Sequence, residues 1–268
     1  MKPDDTTRTD VVLRELRGPT EMKDAERLQL DVWGRDTVPE SSELLQAMQH
    51  FGGFVAGAFD PQGSMVGFIW GFPTRDREVL HSHRLAVAAS WRGHGIGTRL
   101  KWYQRDWSLE HGFNLIQWTV DPLRAANAEL NIRHLGAVRA TYLVDYYGEM
   151  QGIDAGAPSD RLLLDWRLDQ PEVEARRNKP PEDRGYPGAV LANQVVAGRS
   201  HDARADLADP AVLIHIPCDF VRLSTKDRAQ AILWRLQTRE LFQSYFHRGY
   251  TITGFTRLDG PAYLLERN

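Results

Sequence analysis

The sequence predicts an α/β fold: a first domain over residues 11–168, a linker at 169–188 and a smaller α/β extension at 189–268. Three observations carry this. Short apolar runs of strand length recur between turn residues. A glycine-rich turn, Arg92-Gly93-His94-Gly95-Ile96-Gly97, leads from one such run into a stretch with helical apolar spacing. Composition then shifts at 169–188 to proline, glycine and charge, the signature of an exposed connection.

Residues 11–16 alternate apolar and polar side chains and predict a strand. A helix follows from Thr20 or Glu21 to Trp33, closed by Gly34. A second runs from Ser41 or Ser42 to His50, closed by Gly52 and Gly53. Strands are expected at 54–59, 65–72 and 79–88, divided by Asp60-Pro61-Gln62-Gly63 and Pro73-Thr74-Arg75-Asp76. Past the glycine turn, Ile96, Leu100, Tyr103 and Trp107 fall at i, i+4, i+7 and i+11, one face of a helix that Gly112 stops. Residues 114–120 read as a strand. Asp121-Pro122 reads as an N-cap with proline in the first turn of a helix that runs to Leu135 and ends at Gly136. Strands at 139–147 and 162–166 complete the domain. The extension offers strands at 189–196, 212–216, 250–257 and 262–265. Between them a long helix is expected from Ser224, with Asp227 in a weak capping-box pattern, to Gly249.

Hydrophobic residues make up 42% of the 268, enough for a core. A net charge of -3 lacks the basic footprint of a nucleic-acid binder. Cys218 is the single cysteine, which excludes an intramolecular disulfide and a multi-cysteine metal site and fits a reducing compartment. No apolar run approaches the roughly 20 residues that span a bilayer. Residues 1–10 lack the apolar stretch of a signal peptide. The expectation is a cytoplasmic protein that engages neither nucleic acid, membrane nor metal.

The turn at 92–98 is the informative stretch. Its glycines let the backbone turn tightly and approach a ligand. The helix behind it offers unpaired N–H groups and a partial positive charge, a site for a pyrophosphate. A Walker loop would need Lys-Ser/Thr after its last glycine, where Thr98-Arg99 stands. A dinucleotide fingerprint would need glycine in place of Thr98. A plain strand-to-helix turn is the bland alternative.

Arg92-x-x-Gly95-x-Gly97 after a strand resembles the coenzyme A motif of the GNAT acetyltransferase superfamily, Q/R-x-x-G-x-G/A, and the element order over 11–166 resembles that fold. The resemblance implies a mixed, mostly antiparallel central sheet flanked by helices. It also implies acetyl-CoA or another acyl-CoA as co-substrate. Backbone groups of Leu85, Ala86 and Val87 would hold the pantetheine and polarise the thioester carbonyl. Amides of Arg92, Gly93, His94, Gly95, Ile96, Gly97 and Thr98 would hold the pyrophosphate, and Asn127 would face the pantetheine or thiol. There is one departure. Many members carry a tyrosine, which protonates the leaving thiolate, on the helix before a Leu-Gly-aromatic step. Aligned on Leu135-Gly136-Ala137, that position is Ile132. Tyr142, Tyr146 or Tyr147 are candidate substitutes, and Tyr146 is the one assigned. Trp118-Thr119-Val120-Asp121-Pro122-Leu123, Asn127-Ala128, Asn131, Tyr147-Gly148 and Pro158-Ser159-Asp160-Arg161 resemble a narrower bacterial GNAT branch with a C-terminal segment. Members of that branch include N-acyltransferases, succinyltransferases among them, of amino acids.

His81 and His83 are two apart on a predicted strand, so both project from one face. Counted back from Gly95, His81 falls where histone-type GNAT enzymes carry a glutamate base, and a histidine can deprotonate an ammonium. A hydrogen-bonded core pair is one alternative. A His-x-His metal site is another, without a third ligand at helpful spacing.

In the extension, Ala229, Ile232, Leu233 and Leu236 form an apolar stripe that Arg239, Glu240 and Gln243 continue. Arg239 either pairs with Glu240 in an interface or, with Arg161, grips a substrate carboxylate bidentately. Trp33 and Trp70 are candidates to line the acceptor pocket. The expected reaction is direct transfer of an acetyl or succinyl group from coenzyme A to the amine of a small molecule, most simply an amino acid. The alternatives are a protein or peptide N-acetyltransferase and a non-catalytic acyl-CoA sensor, which Ile132 would favour. A homodimer is left open.

Overall fold

A computed structural model describes residues 10–35, 37–148 and 158–267. These divide into two units, one ending at Trp118 and one beginning at Thr119. The division expected at 168 lies inside the second unit. Residues soon after Thr119 are tied to the C-terminal segment by a buried Asp121–Arg235 ion pair and by Tyr263, whose hydroxyl donates to the Pro122 carbonyl at 3.0 Å. The stretch 169–188 is likewise no free linker. Arg176 donates to the Ile132 carbonyl at 3.0 Å, and Asp183 accepts from Thr256 Oγ1 at 2.7 Å.

In the first unit, β1 (Val12–Glu15), β2 (Phe54–Phe59), β3 (Met65–Pro73) and β4 (Val79–Val87) pair antiparallel in sequence order. β5 (Leu115–Val120) joins β4 in parallel. Strand side chains alternate between faces, and both faces of this sheet are covered. On one lie α1 (Gly18–Trp33) and α2 (Ser42–His50), whose Met22, Ala25, Leu28 and Leu45 pack with Val55, Phe59, Phe68 and Trp70. Ser41 caps α2 by accepting the Leu44 N–H at 3.2 Å. On the other face lies α3 (Ile96–Glu110), where Phe54 meets Tyr103 and Trp107 at ring-centroid distances of 5.7 and 5.0 Å. The helix comes close: a Cβ on Gly67 would meet Ile96 and Leu100 at 3.0 Å.

In the second unit, the helix expected from Pro122 begins only with α4 (Ala125–Ala128), which continues into a π-helical turn at Glu129–His134. Asp121 accepts the Leu123 N–H at 2.9 Å, closing a tight turn rather than capping a helix, while Arg235 engages both its oxygens. β6 (Arg139–Leu143) pairs antiparallel with β7 (Arg161–Arg167). β6 stops short of the expected 147, and Asp145 just beyond it takes a positive φ of 47°. A short α5 (Pro171–Glu174) follows.

The strand expected at 189–196 is two strands, β8 (Val190–Leu191) and β9 (Gln194–Val196), the latter in a hairpin with β10 (Arg199–His201). Buried Asn193 breaks the run: its amide donates to Ser200 Oγ and the His215 carbonyl and accepts the His215 N–H. β8 pairs in parallel with β11 (Ala211–His215), which continues antiparallel through β13 (Ala262–Arg267) to β12 (Tyr250–Thr256). The long helix expected from Ser224 is two helices, α6 (Phe220–Lys226) capped by Asp219 and α7 (Arg228–His247) capped by Asp227. Its expected apolar stripe is out of phase. Leu233 and Leu236 are 52% and 44% exposed, whereas Trp234, Thr238, Leu241 and Tyr245 form the buried face.

Candidate active site

The turn after β4 has the backbone that its glycines allow. Gly93 and Gly95 take φ values of 81° and 73°, a region closed to most side chains. Arg92 Nε reaches back to the Val87 carbonyl at 3.3 Å, and His94 Nδ1 lies 2.9 Å from the Arg92 carbonyl. These contacts fold the turn against the strand end. α3 starts at Ile96 with no side-chain cap, and its ladder opens with Arg99 N–H to Gly95 O at 2.9 Å. The N–H groups of Ile96, Gly97 and Thr98 precede that ladder and lie at the positive end of a 15-residue helix. This is a fit for a pyrophosphate.

The strand before the turn complements it. β4 pairs with β5 only at Val79, Leu80 and His81. From Ser82 to Val87 the edge facing β5 is left without a partner strand among the described residues, while β3 still pairs on the other side. Leu85, Ala86 and Val87 lie on this open edge, which can hydrogen-bond an extended chain bearing amides. Pairing with β3 shifts register between Trp70 and Gly71, so His83 is the extra, bulged residue of β4. A bulge re-aims side chains and backbone groups where it occurs.

His81 and His83 do share a face, with rings 5.8 Å apart, on the α1/α2 side of the sheet. His81 lies beside Phe72 at 5.0 Å, and His83 edge-on to Trp70 at 4.9 Å. Burial above all, then the charges of His83 and Lys101, push His81 down to about 4, so it is neutral at pH 7. Sequence reasoning missed Glu40, in the loop before α2. Its Oε1 lies 3.2 Å from His83 Nε2 and its Oε2 2.8 Å from Arg84 Nη1. Trp33, half-exposed at the end of α1, lies under the Arg84 guanidinium at 5.2 Å.

On the opposite face of β4, Ser82 accepts from Lys101 Nζ at 2.8 Å. Lys101 is buried between Gln104, at 3.3 Å, and the face of Trp118, at 3.7 Å. Burial holds its ammonium well below the usual lysine range.

The remaining candidates belong to the second unit. Asn127 is exposed on α4. Tyr146 is exposed, edge-on to Tyr147. Ile132 is buried, and Tyr142 is committed as a donor to Asp160 at 2.7 Å; burial foremost, then that carboxylate, push its hydroxyl upward beyond the ordinary tyrosine range. The expected carboxylate grip of Arg239 is already taken. Its Nε and Nη2 meet the two oxygens of Asp160 at 2.8 and 2.6 Å, so its partner is neither Glu240 nor free to be a substrate. Arg161 is buried, donates to the Asp160 carbonyl at 2.8 Å and stacks over Tyr147 at 5.2 Å. Among the described residues no three His, Cys, Asp or Glu side chains gather to hold a metal, and no helix is long and apolar enough to cross a membrane.

No curated protein matches the chain. Among solved structures, the ribosomal-protein-S18-alanine N-acetyltransferase of Escherichia coli is similar at 17% identity and a TM-score of 0.50, over 60% of this chain and 95% of that one. An aminoglycoside 6'-acetyltransferase type Ii is similar at 21% identity and a TM-score of 0.50, over 59% and 98%. At these identities the likeness shows the fold. Residues 20–136 match the model of the acetyltransferase (GNAT) family. The open edge of β4, the glycine turn and the uncapped helix all lie within that match, and through it residues 20–136 are a GNAT-family acetyltransferase domain, a family whose reaction moves an acyl group from coenzyme A to an amine.

Proposed function

We propose that the chain acylates the amine of a small molecule, most simply an amino acid, with acyl-CoA laid along the open edge of β4 and its pyrophosphate in the turn at 92–98. The observation that carries the donor's placement is the early end of β4–β5 pairing at His81, just ahead of a helix start that no side chain caps. Amides of an extended pantetheine take the place of a missing strand, and the helix N-terminus complements the phosphate charge. The neutral amine nitrogen bonds to the acyl carbonyl carbon as the carbon–sulfur bond breaks and the sulfur leaves as a thiolate. Counted from the ammonium that precedes the neutral amine, two protons leave that nitrogen, one ending on the thiolate and one in solvent.

For the acceptor, the names of the two similar structures carry a protein alanine and an aminoglycoside, and both are amines. A carboxylate-bearing acceptor is supported by the branch resemblance; Arg239 no longer supports it, and Arg161 is turned to the Asp160 carbonyl and Tyr147. Asn127 facing the thiol, Tyr146 as general acid and Trp33 at the acceptor belong to the same reading, as do the cytoplasm as the site of action and acetyl or succinyl as the acyl group.

Gly95→Asp tests the donor site. Asp tolerates the left-handed backbone that Gly95 occupies, but sets a carboxylate where the pyrophosphate would lie. Calorimetry is expected to show acetyl-CoA binding abolished with the circular dichroism spectrum retained. Unchanged affinity would refute the assignment. Turnover of acetyl-CoA with free amino acids, against a peptide amine, tests the acceptor: activity on the peptide alone overturns the small-molecule reading.

A further inference from the structure

We infer that Glu40 and His83 form a dyad in which His83 is the catalytic base for the acceptor's ammonium and Glu40 is its positioning residue; this rests on the acyl-transfer reading above. The geometry points to it. Glu40 Oε1 stands 3.2 Å from His83 Nε2, and the Glu40 side chain is only 12% exposed. Its backbone is held on both sides by one buried side chain. Gln29 accepts the Glu40 N–H at 3.1 Å and donates to the Glu40 carbonyl at 3.2 Å. The other carboxylate oxygen meets Arg84 Nη1, and that guanidinium also donates to Gln29 Oε1 at 3.0 Å. The Glu40 backbone is thus anchored before any substrate arrives, and its carboxylate lies within ion-pair distance of His83 and Arg84, the placement a base-orienting group needs.

The His83 ring is equally constrained, by Trp70 at 4.9 Å and Phe72 at 6.0 Å. In the proposed dyad the proton sits on Nε2, 3.2 Å from Glu40 Oε1, and Nδ1 carries the lone pair that takes the acceptor's proton. The imidazolium that results is stabilised by the carboxylate beside it, the role an acidic partner plays for a histidine base. The proton then passes to the departing thiolate, which leaves as the thiol. The charged and titratable groups around His83 are Glu40 from the loop, Arg84 and His81 from β4, and, across the strand through Ser82, Lys101 of α3. His81 lies against Phe72, and its burial is the largest influence opposing its protonation. Its low proton affinity, about 4, makes it a weak acceptor for an ammonium proton.

The test measures thiol release from acetyl-CoA with a mixture of the standard amino acids, for the wild type, His83→Gln, Glu40→Gln, the double variant and His81→Gln. His83→Gln is expected to lose turnover roughly a hundredfold or more, and Glu40→Gln roughly tenfold or more, as loss of an orienting carboxylate does. Acetyl-CoA affinity by calorimetry stays at the wild-type value in both, which separates catalysis from folding. The double variant is no slower than His83→Gln, because the two residues act as a unit. Imidazole added to His83→Ala restores part of the rate, and His81→Gln falls less than His83→Gln. A His83→Gln enzyme with half or more of the wild-type rate, or a double variant whose loss is the product of the single losses, overturns the dyad alone. A wild type that binds acetyl-CoA and acylates none of these amines sinks the small-acceptor reading, and the dyad with it.

Discussion

Arg235→Met is the sharpest test of what holds the second unit together. Arg235 and Asp121 form a fork at 2.7 Å on both arms, with side-chain exposures of 3% and 5%. Removing the guanidinium leaves the Asp121 carboxylate in the interior with the Leu123 N–H as its hydrogen-bond donor and only the longer contact to Arg124 Nε, at 3.9 Å, as an ion pair. Stripping a buried charge of its main partner costs up to about 3–5 kcal/mol, against a total stability of about 5–15 kcal/mol. At about 2–4 °C per kcal/mol for a unit of this size, the transition falls by about 10 °C. Asp121→Leu combined with Arg235→Met removes both charges and is expected to lose less than Arg235→Met alone. The pH dependence has a definite sign. Burial alone would raise the Asp121 carboxyl, but the charge and fork of Arg235 hold it below 3.8 in the folded chain. The stability it supplies is therefore present above about pH 4 and lost as pH falls through that lower folded value. Without Arg235 burial wins, the carboxyl protonates early, and the deficit of the variant narrows as pH falls toward 4. Urea unfolding at pH 7 and pH 4.5, followed by circular dichroism, checks both parts. A loss under about 1 kcal/mol at pH 7, or a deficit equal at the two pH values, would refute the reasoning.

Lys101→Met is expected to flatten the pH dependence of stability on the alkaline side. Burial depresses the folded ammonium, so the unfolded chain holds that proton to a higher pH than the folded one, up to about pH 10.4, and the wild type gains stability as pH rises toward it; equal slopes between pH 7 and 10 in denaturant titrations would show that Lys101 keeps its ordinary proton affinity in its cage. Asp227→Ala removes the cap that accepts the Gln230 N–H at 3.0 Å and should destabilise the unit carrying α7 by about 1 kcal/mol, measured by the same titrations; no change would mean that tertiary packing alone sets the start of α7.

What was legible in the sequence was what neighbouring residues decide. β2 runs over Phe54–Phe59 as expected, because Gly52-Gly53 and the Asp60 turn bracket it locally. The α3 face was also readable: Ile96, Leu100 and Trp107 are buried at the spacing that predicted it. The glycine turn was legible because positive φ demands glycine. The failures came where a distant residue supplies the partner. Asp121 looks like a cap until Arg235 takes its oxygens. Arg239 looks free for a ligand until Asp160 fills its fork. The α7 stripe slipped because its buried face includes Thr238 and Arg235, polar residues that an apolar pattern passes over. Glu40 carried no signal at all: it is one acid in an irregular loop, and only the fold brings it to His83.

The early separation of β4 from β5 has a consequence for handling as well as chemistry. A sheet ordinarily exposes backbone only at its outer strands, where nature blunts it with charge, proline or cover. Here the bare segment, Ser82–Val87, sits in the interior of the strand order, where β5 cannot cover it. Kept without its donor, the chain presents a template for pairing with another strand. On the proposed placement of acyl-CoA, donor binding would close the edge and favour the folded state by mass action, in proportion to the logarithm of donor concentration over its dissociation constant. Coenzyme A in the buffer would thus act on this protein as a solubility agent as much as a reactant.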